Sequence, residues 1–204
     1  MGPVRLKFRQ TQVFSDQNIT VKDLEREYER LNEAVRQSKE QLLEARAKVK
    51  REIGELEAMI FDAHLAILED QGFLKKIRSQ VQTLLKPVEV VVSEIVEGYY
   101  RLLSMKEAEN LRERAADIRD IGRRLLDNLT KLKNPGDDYP AAEEPAPAQD
   151  EIIFAREILP SDLVTIEHRH CQGVICETGS GRGHAGVMLR AMNVPTVIDR
   201  KSVV

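Results

Sequence analysis

Apolar side chains recur along residues 24–56 in steps of three, four and seven, with Glu, Lys and Arg filling most of the positions between them. The apolar positions are Leu24, Leu31, Val35, Leu42, Ala45, Val49, Ile53 and Leu56. This spacing places them on one stripe of an α-helix, and Thr20 followed by Asp23 is typical of its start. A long helix with one apolar stripe must pack against other elements, so the pattern predicts a helical bundle.

Four further apolar segments provide partners for the first helix. The pattern predicts them at residues 59–69, 73–85, 88–105 and 111–132, with breaks near Gly72 and at Pro87. The valine-rich start of residues 88–105 fits either a helix or a strand, and the helical spacing that follows favours a helix. Together these segments predict an antiparallel bundle with short connections.

The two ends of the chain show a different pattern. Residues 4–13 alternate between apolar and polar, which is the period of a half-buried strand. Residues 134–149 contain four prolines and no basic residue, so they predict a linker. After the linker, strands are predicted at 152–155, from Val174 and at 196–198, with a turn or short helix from Leu159 and an apolar helix over 185–192.

This order of elements predicts an α/β domain with a helical domain inserted into it. The α/β domain takes residues 1–19 and 150–204, the helical domain takes residues 20–133, and residues 134–149 connect them. The chain as a whole is predicted to be mostly helical.

Composition narrows the classes of function. The chain is 42% hydrophobic and 32% charged with only 4% aromatic residues, which suits long solvated helices around a real core. A net charge of -3 provides no basic field for nucleic acid, and no uncharged run approaches the length of a membrane span. Two cysteines without a secretory signal favour reduced thiols in a cytoplasmic protein. We therefore expect neither a nucleic-acid partner nor a membrane partner.

The candidate chemistry lies in residues 174–197, where three closely spaced glycines deliver His184 to the start of a helix. A helix N-terminus holds phosphate and disfavours an imidazolium, so a histidine there stays neutral and nucleophilic. With Arg182 and Arg190 nearby, His184 is a candidate to accept a phosphoryl group. The alternative is that the loop is only a tight turn and His184 an ordinary surface residue.

Four potential metal ligands also lie within nine positions of one another, namely His168, His170, Cys171 and Cys176. Their spacing fits no usual zinc motif, and an alternating strand would direct the two histidines to one side and Cys171 to the other. We therefore predict no metal ligand among them.

Three stretches of the chain carry a family resemblance. They are residues 60–70 (IFDAHLAILED), residues 113–126 (ERAADIRDIGRRLL) and residues 175–195, which contain the glycine loop. These resemble Enzyme I of the bacterial phosphoenolpyruvate-dependent sugar phosphotransferase system, and the second match is the most specific. The third aligns without gaps and places His184 on the phosphorylated histidine of that family. The resemblance covers nearly all of the chain from about residue 20 onward.

The resemblance implies a swivelling phosphohistidine α/β domain interrupted by a helical domain that binds the small carrier protein HPr. His184 would carry a phosphoryl group from phosphoenolpyruvate, delivered by a C-terminal domain, to a histidine of HPr. Arg182 and Arg190 would stabilise the phosphoryl oxygens.

The resemblance also implies a docking surface and a cofactor requirement. HPr would dock on the helix that carries His64, Ile67 and Leu68 and on the helix that begins near Arg114. No cofactor is implied for this part of the protein, whereas magnesium is expected for the full-length family enzyme.

The chain departs from the family pattern in its loop and in its extent. The loop of the family reads G-G-x-T-S-H, whereas residues 179–184 read G-S-G-R-G-H. The chain stops before the last strands of the phosphohistidine domain and contains no phosphoenolpyruvate-binding barrel. We therefore expect it to be part of a longer protein and not to take phosphate from phosphoenolpyruvate alone.

Two other functions fit parts of the pattern. One is a non-catalytic helical interaction module that the α/β part merely anchors. The other is a phosphohistidine domain from another swivelling phosphotransferase, such as pyruvate phosphate dikinase, although the sequence of residues 113–126 argues against it.

Overall fold

A computed structural model of the chain describes residues 4–7, 14, 17–133, 151–165, 171–179, 181 and 183–198. The chain forms two compact units. One comprises residues 12–44 and 61–137 and is helical; the other comprises residues 1–11, 45–60 and 138–204 and contains the sheet. Among the described residues, no helix has the length and apolar character needed to cross a membrane.

Five long helices account for most of the described chain. They are α1 (Leu24–Glu52), α2 (Glu55–Glu69), α3 (Gln71–Leu84), α4 (Val88–Ser104) and α5 (Glu109–Lys133). A short 3-10 helix, Val21–Asp23, precedes α1. The predicted helical bundle is confirmed, and the valine-rich segment that fitted either helix or strand is the helix α4.

Local side-chain chemistry sets where these helices begin and end. The Thr20 backbone N–H and hydroxyl both donate to the Asp23 carboxylate, at 2.9 and 2.7 Å, which fixes the entry to the first helix. The break predicted near Gly72 lies at Asp70 instead, because the Asp70 carboxylate accepts a 2.6 Å hydrogen bond from the backbone N–H of Phe73 and starts α3. Leu85, with φ +49°, ends α3 just before Pro87.

The core of the helical unit forms where the apolar stripes of four helices meet. Its buried members come from α1, α3, α4 and α5, and they are Leu31, Ala34, Phe73, Ile77, Val81, Val88, Val91, Val92, Ile95, Val96, Leu125 and Leu129. Each is spaced by three or four residues from a neighbour on its own helix, so burial follows the helical period. Removal of this apolar surface from water is the main stabilising contribution to the unit.

A buried network of charges ties three of these helices together. The Arg30 guanidinium on α1 donates to Glu27 at 2.7 Å, to Glu89 on α4 at 2.7 Å, and to the Leu129 carbonyl on α5 at 3.1 Å. Glu27 also accepts a 2.8 Å hydrogen bond from the backbone N–H of Val88, the first residue of α4. Each buried carboxylate is thereby paired, which offsets the cost of removing it from water.

The second unit contains a parallel sheet. Its strands are β1 (Val4–Lys7), β2 (Glu151–Ala155), β3 (Cys171–Cys176) and β4 (Thr196–Ile198), in the order β1-β2-β3-β4 with every pair parallel. Two helices, α6 (Pro160–Thr165) and α7 (His184–Ala191), occupy the connections between β2, β3 and β4. Because all four strands run the same way, their carboxyl ends share one edge.

The strands predicted around residues 152, 174 and 196 are confirmed, although β3 begins at Cys171 rather than at Val174. Residues 8–13 of the predicted N-terminal strand and the predicted linker 134–149 lie outside the described residues.

We expect opposite effects from alanine at two glycines of the helical unit. A Cβ at Gly122 on α5 would lie 2.5 Å from both Cγ atoms of Val96, whereas a Cβ at Gly98 on α4 would meet nothing within 4 Å. Gly122→Ala should therefore lower the free energy of unfolding by about 1–3 kcal/mol through overpacking. Gly98→Ala should raise it by about 1 kcal/mol through helix propensity. Urea unfolding followed by far-UV circular dichroism measures both, and equal effects would contradict the close α4–α5 contact.

Acid should weaken the helical unit partly through Glu89. Burial raises the pKa of Glu89, but the hydrogen bonds from Arg30 and from the backbone, together with the positive charges of Arg30 and Lys133, outweigh this and leave the pKa below its ordinary 4.5. The stabilisation by the carboxylate is therefore present above pH 4.5 and is lost as the pH falls through the lowered value. At pH 7 Glu89→Gln should cost about 3 kcal/mol, because it breaks a buried ion pair.

The matched control is Glu94→Gln, a more exposed glutamate on the same helix that pairs with Lys86. It should change the urea midpoint little at any pH. The difference between wild type and Glu89→Gln should shrink as the pH falls toward 3, and a difference that stays constant would contradict the assigned role of the Glu89 carboxylate.

Candidate functional site

The glycine loop connects β3 to α7 at the carboxyl edge of the sheet. β3 ends at Cys176 and α7 begins at His184, so the histidine is the first helical residue after the loop. Gly183 occupies the N-cap position and provides no capping side chain. Carboxyl edges of parallel sheets are where open α/β folds bind ligands, and the half-buried His184 begins α7 after the loop at this edge.

The loop is anchored to β2 at its start. The backbone N–H of Glu177 donates to the Ala155 carbonyl at 3.1 Å, and the backbone N–H of Thr178 donates to the Arg156 carbonyl at 2.8 Å. The Thr178 hydroxyl donates to the same Arg156 carbonyl at 2.9 Å. These bonds continue the β2–β3 pairing beyond the strands, so the chain leaves the sheet at a defined position.

The loop then turns at Gly179, whose φ is +142°. This conformation is rarely available to residues with a Cβ, so the glycine is required by the backbone here. The space around it is not the constraint, because a Cβ would meet only Ile198 side-chain atoms at 3.9 and 4.0 Å.

The far side of the loop is held from α7. Nη2 of Arg190, in the last turn of that helix, donates to the Gly181 carbonyl at 2.7 Å. The helix itself is fixed by its buried residues Met188 and Leu189, and the backbone N–H of Val194 donates to the Leu189 carbonyl at 2.9 Å. His184 therefore belongs to an element that is secured at both ends.

The structure describes two of the three residues predicted for the chemistry. His184 and Arg190 both belong to α7, and Arg190 contacts the loop that precedes His184. Arg182 lies outside the described residues.

Of the four potential metal ligands, the two cysteines are described. Cys171 and Cys176 are both buried in β3 and form no disulfide. Burial raises the pKa of the Cys176 thiol to about 11, so it stays protonated at neutral pH. His168 and His170 lie outside the described residues, and within the described part of the chain no group of three or more His, Cys, Asp or Glu side chains is placed to hold a metal ion.

The residues predicted to contact HPr differ in exposure. Arg114 on α5 is exposed and Ile67 on α2 is half-buried, whereas His64 and Leu68 are both 0% exposed. The prediction that His64 and Leu68 contact HPr directly is therefore corrected, because neither side chain reaches the surface in this structure. They lie on the side of α2 that packs into the helical unit.

His64 is held by groups that the sequence pattern did not identify as its partners. Its Nε2 lies 3.3 Å from the Asp117 carboxylate, its Nδ1 lies 4.0 Å from the Asp120 carboxylate, and its ring packs edge-on against Phe61 at 5.8 Å. Asp117 and Asp120 are three residues apart on α5, so they share one face of that helix. The feature of the sequence that could have identified these two acids is their i, i+3 spacing within a stripe of α5 that is otherwise buried.

The outward side of α2 includes two small residues that sequence reasoning passed over. Ala63 and Ala66 are exposed and lie beside Ile67 at helical spacing. Alanines carry little signal in an apolar pattern, since they occur on both buried and exposed helix faces.

Comparison with known families places the chain in a defined class. The profile of the family "PEP-utilising enzyme, N-terminal" matches residues 1–114, and that of "PEP-utilising enzyme, mobile domain" matches residues 147–204. The chain therefore belongs to the PEP-utilising enzyme N-terminal family.

Curated relatives within this class are phosphoenolpyruvate-protein phosphotransferases. The chain is 28% identical to the one from Enterococcus faecalis and 30% identical to the one from Geobacillus stearothermophilus, in each case over 90% of this chain. The matched region spans only 31% of each relative. The predicted resemblance to Enzyme I is confirmed.

Two solved structures share the fold. A solution structure of Enzyme I aligns with a TM-score of 0.70 over 99% of this chain and 79% of that one, at 24% identity. The N-terminal domain of a nitrogen-type Enzyme 1 aligns with a TM-score of 0.64 over 97% of this chain and 77% of that one, at 22% identity. At these identities the likeness concerns the fold alone.

Alanine at two loop glycines should isolate the effect of backbone strain, because neither position is crowded. Gly179→Ala places a Cβ on a residue with φ +142°, and should lower the free energy of unfolding by more than about 1 kcal/mol. Gly181→Ala is the matched control, because a Cβ there meets nothing within 4 Å and the backbone angle is ordinary. Thermal unfolding of both variants measures the difference, and equal melting temperatures would contradict the assigned conformation of Gly179.

Proposed function

We propose that the chain is the phosphohistidine part of a phosphoenolpyruvate-protein phosphotransferase, and that His184 is its nucleophile and phosphoryl carrier. The observation that supports this most is the position of His184 as the first residue of α7, directly after a glycine loop at the carboxyl edge of a parallel sheet. The names of the curated relatives agree with the proposal.

The transfer needs little covalent chemistry from the protein. In the forward direction, one ring nitrogen of the carrier histidine attacks the phosphorus on phosphorylated His184. The new N–P bond forms as the N–P bond to His184 breaks, and the His184 imidazole leaves with the electron pair of the broken bond. Uptake of phosphate from a phosphorylated carrier is the reverse of this step. The main tasks of the protein are alignment and neutralisation of the charge on the phosphoryl oxygens.

The start of α7 is suited to neutralising the charge on the phosphoryl oxygens. The first backbone N–H groups of a helix have no intrahelical acceptor and carry a partial positive charge. Since Gly183 has no side chain to cap α7, no N-cap group competes with phosphoryl oxygens for these donors. The proposal assigns stabilisation of the phosphoryl oxygens to Arg182 as well.

The proposed partner is an HPr-like phosphocarrier that docks on α2 and α5 of the helical unit. Contact would be made by the exposed Ala63 and Ala66, by the half-buried Ile67 and by the exposed Arg114. An apolar centre with a polar rim is usual for a protein interface, and arginine is enriched there. His64 and Leu68 support this surface from behind, since both are fully buried.

The proposal places two further functions in a C-terminal domain, which corresponds to the part of the relatives that the chain does not span. These are the binding of phosphoenolpyruvate and the requirement for magnesium. Transfer between such a domain, His184 and a soluble carrier would take place in the cytoplasm.

The test is incubation of the chain with phosphorylated HPr, followed by mass spectrometry for an acid-labile phosphoryl adduct. We expect wild type to acquire the adduct on His184 and His184→Ala to acquire none, because the nucleophile is missing. A non-catalytic interaction module would bind HPr without acquiring phosphate, so a folded wild type that binds the carrier and shows no adduct would overturn the proposal.

A second arm of the same experiment tests the docking residues. Ile67→Glu places a charge on the proposed surface and should weaken carrier binding at least about tenfold. Leu84→Glu, at the end of α3 and 44% exposed, introduces the same charge away from it and is the control. Equal binding by the two variants would contradict the proposed surface while leaving the role of His184 to the first arm.

A further inference from the structure

The loop that precedes His184 is held asymmetrically. On the β3 side, three hydrogen bonds from Glu177 and Thr178 to the carbonyls of Ala155 and Arg156, at the end of β2, fix its start. On the α7 side, the N-cap residue is a glycine with no side chain, so the usual Ser, Thr, Asp or Asn cap is missing. Some other group must fix the junction between the loop and the helix if His184 is to have one position.

Arg190 is placed to do this. It lies six residues after His184, which is about 9 Å along the helix axis. Helical side chains incline toward the N-terminus of their own helix, so the long arginine side chain runs back along α7 toward the loop. Its Nη2 reaches the Gly181 carbonyl at 2.7 Å, a short charge-assisted hydrogen bond.

This bond determines what else the guanidinium can do. Gly181 lies two residues before the N-cap, so a donor fixed on its carbonyl fixes the backbone that leads into His184. Of the five N–H donors of the guanidinium, this bond engages one on Nη2 and fixes the plane of the group. A bidentate clamp that recruited Nη2 would have to release the carbonyl and free the loop, so an anchor and a freely oriented clamp make different demands on this side chain.

We propose that Arg190 is a positioning residue that anchors the glycine loop for His184, and that it is not a bidentate ligand of the phosphoryl group. The inference rests on the proposed function for its catalytic consequence, whereas the anchoring itself is a property of the unphosphorylated chain. It differs from the expectation raised by the family resemblance, in which the arginine stabilises the phosphoryl oxygens.

The two roles make different demands on the side chain. A bidentate clamp needs the planar fork of a guanidinium, which lysine does not have. An anchor on one carbonyl needs a single charged donor, which lysine supplies. Arg190→Lys should therefore preserve function if Arg190 is an anchor, and should fail together with Arg190→Gln if it is a clamp.

The first measurement is amide hydrogen exchange of Thr178 and Val187, whose N–H groups are hydrogen-bonded on the two sides of the loop, in the unphosphorylated chain without a carrier. We expect Arg190→Gln to speed exchange about tenfold and Arg190→Lys to leave it near wild type, because one hydrogen bond is lost or kept. Arg51→Gln, which removes the same charge from a 71% exposed side chain on α1, is the control. Unchanged exchange in Arg190→Gln would overturn the anchoring.

The second measurement is the rate of phosphoryl uptake from phosphorylated HPr over a range of carrier concentrations. We expect the maximal rate constant of uptake by Arg190→Gln to fall about 100-fold from misplacement of His184, with the half-saturating carrier concentration unchanged and with Arg190→Lys keeping most of the rate. Equal losses in the lysine and glutamine variants would overturn the proposal in favour of a clamp. A wild-type rate in Arg190→Gln would overturn it as well.

The two measurements separate this inference from the proposed function. If folded wild type takes up no phosphate, the proposed function fails, and the exchange experiment still decides whether Arg190 anchors the loop. If wild type takes up phosphate, the rates decide whether the anchoring matters for the chemistry.

Discussion

The pairing of β2 with β3 is the constraint on which the site depends. It continues past the strand ends, where the backbone N–H groups of Glu177 and Thr178 donate to the carbonyls of Ala155 and Arg156. Because the strands are parallel, this continuation lies at the carboxyl edge and directs the chain into the glycine loop there. The position of His184 follows from this geometry, since α7 begins where the loop ends.

Buried polar groups constrain the helical unit in a comparable way. Apolar stripes of leucine and valine could pack in several registers at similar free energy, but buried charges tolerate few partners. Arg30 can satisfy Glu89 and the Leu129 carbonyl only if α1, α4 and α5 meet at one place. The contacts of His64 with Asp117 and Asp120 similarly relate α2 to α5. We interpret both clusters as determinants of which helix faces meet, with apolar burial as the larger source of stability.

Much of the fold and some of the site followed from the sequence. The helical period identified the long helices, and Thr20 and Pro87 were recognisable as a cap and a breaker, whereas the break predicted near Gly72 lies at Asp70. The glycine loop and His184 were also recognisable, because a strand, a run of glycines and an apolar helix have local signatures. The sequence predicted the exposure of individual side chains less well than it predicted the helices and strands. The motif that contains His64 and Leu68 indicated an important helix, but both side chains face inward.

The sequence by itself therefore determined where helices and strands form and which histidine follows the glycine loop, since these depend on neighbours within a few positions. Only the tertiary structure decided which side of α2 is buried, which acids face His64 and where the Arg190 guanidinium binds. The physical reason is that these features depend on groups far apart in the chain or on the path of a loop. A carboxylate 53 residues away defines the surroundings of His64, and no local pattern encodes that distance.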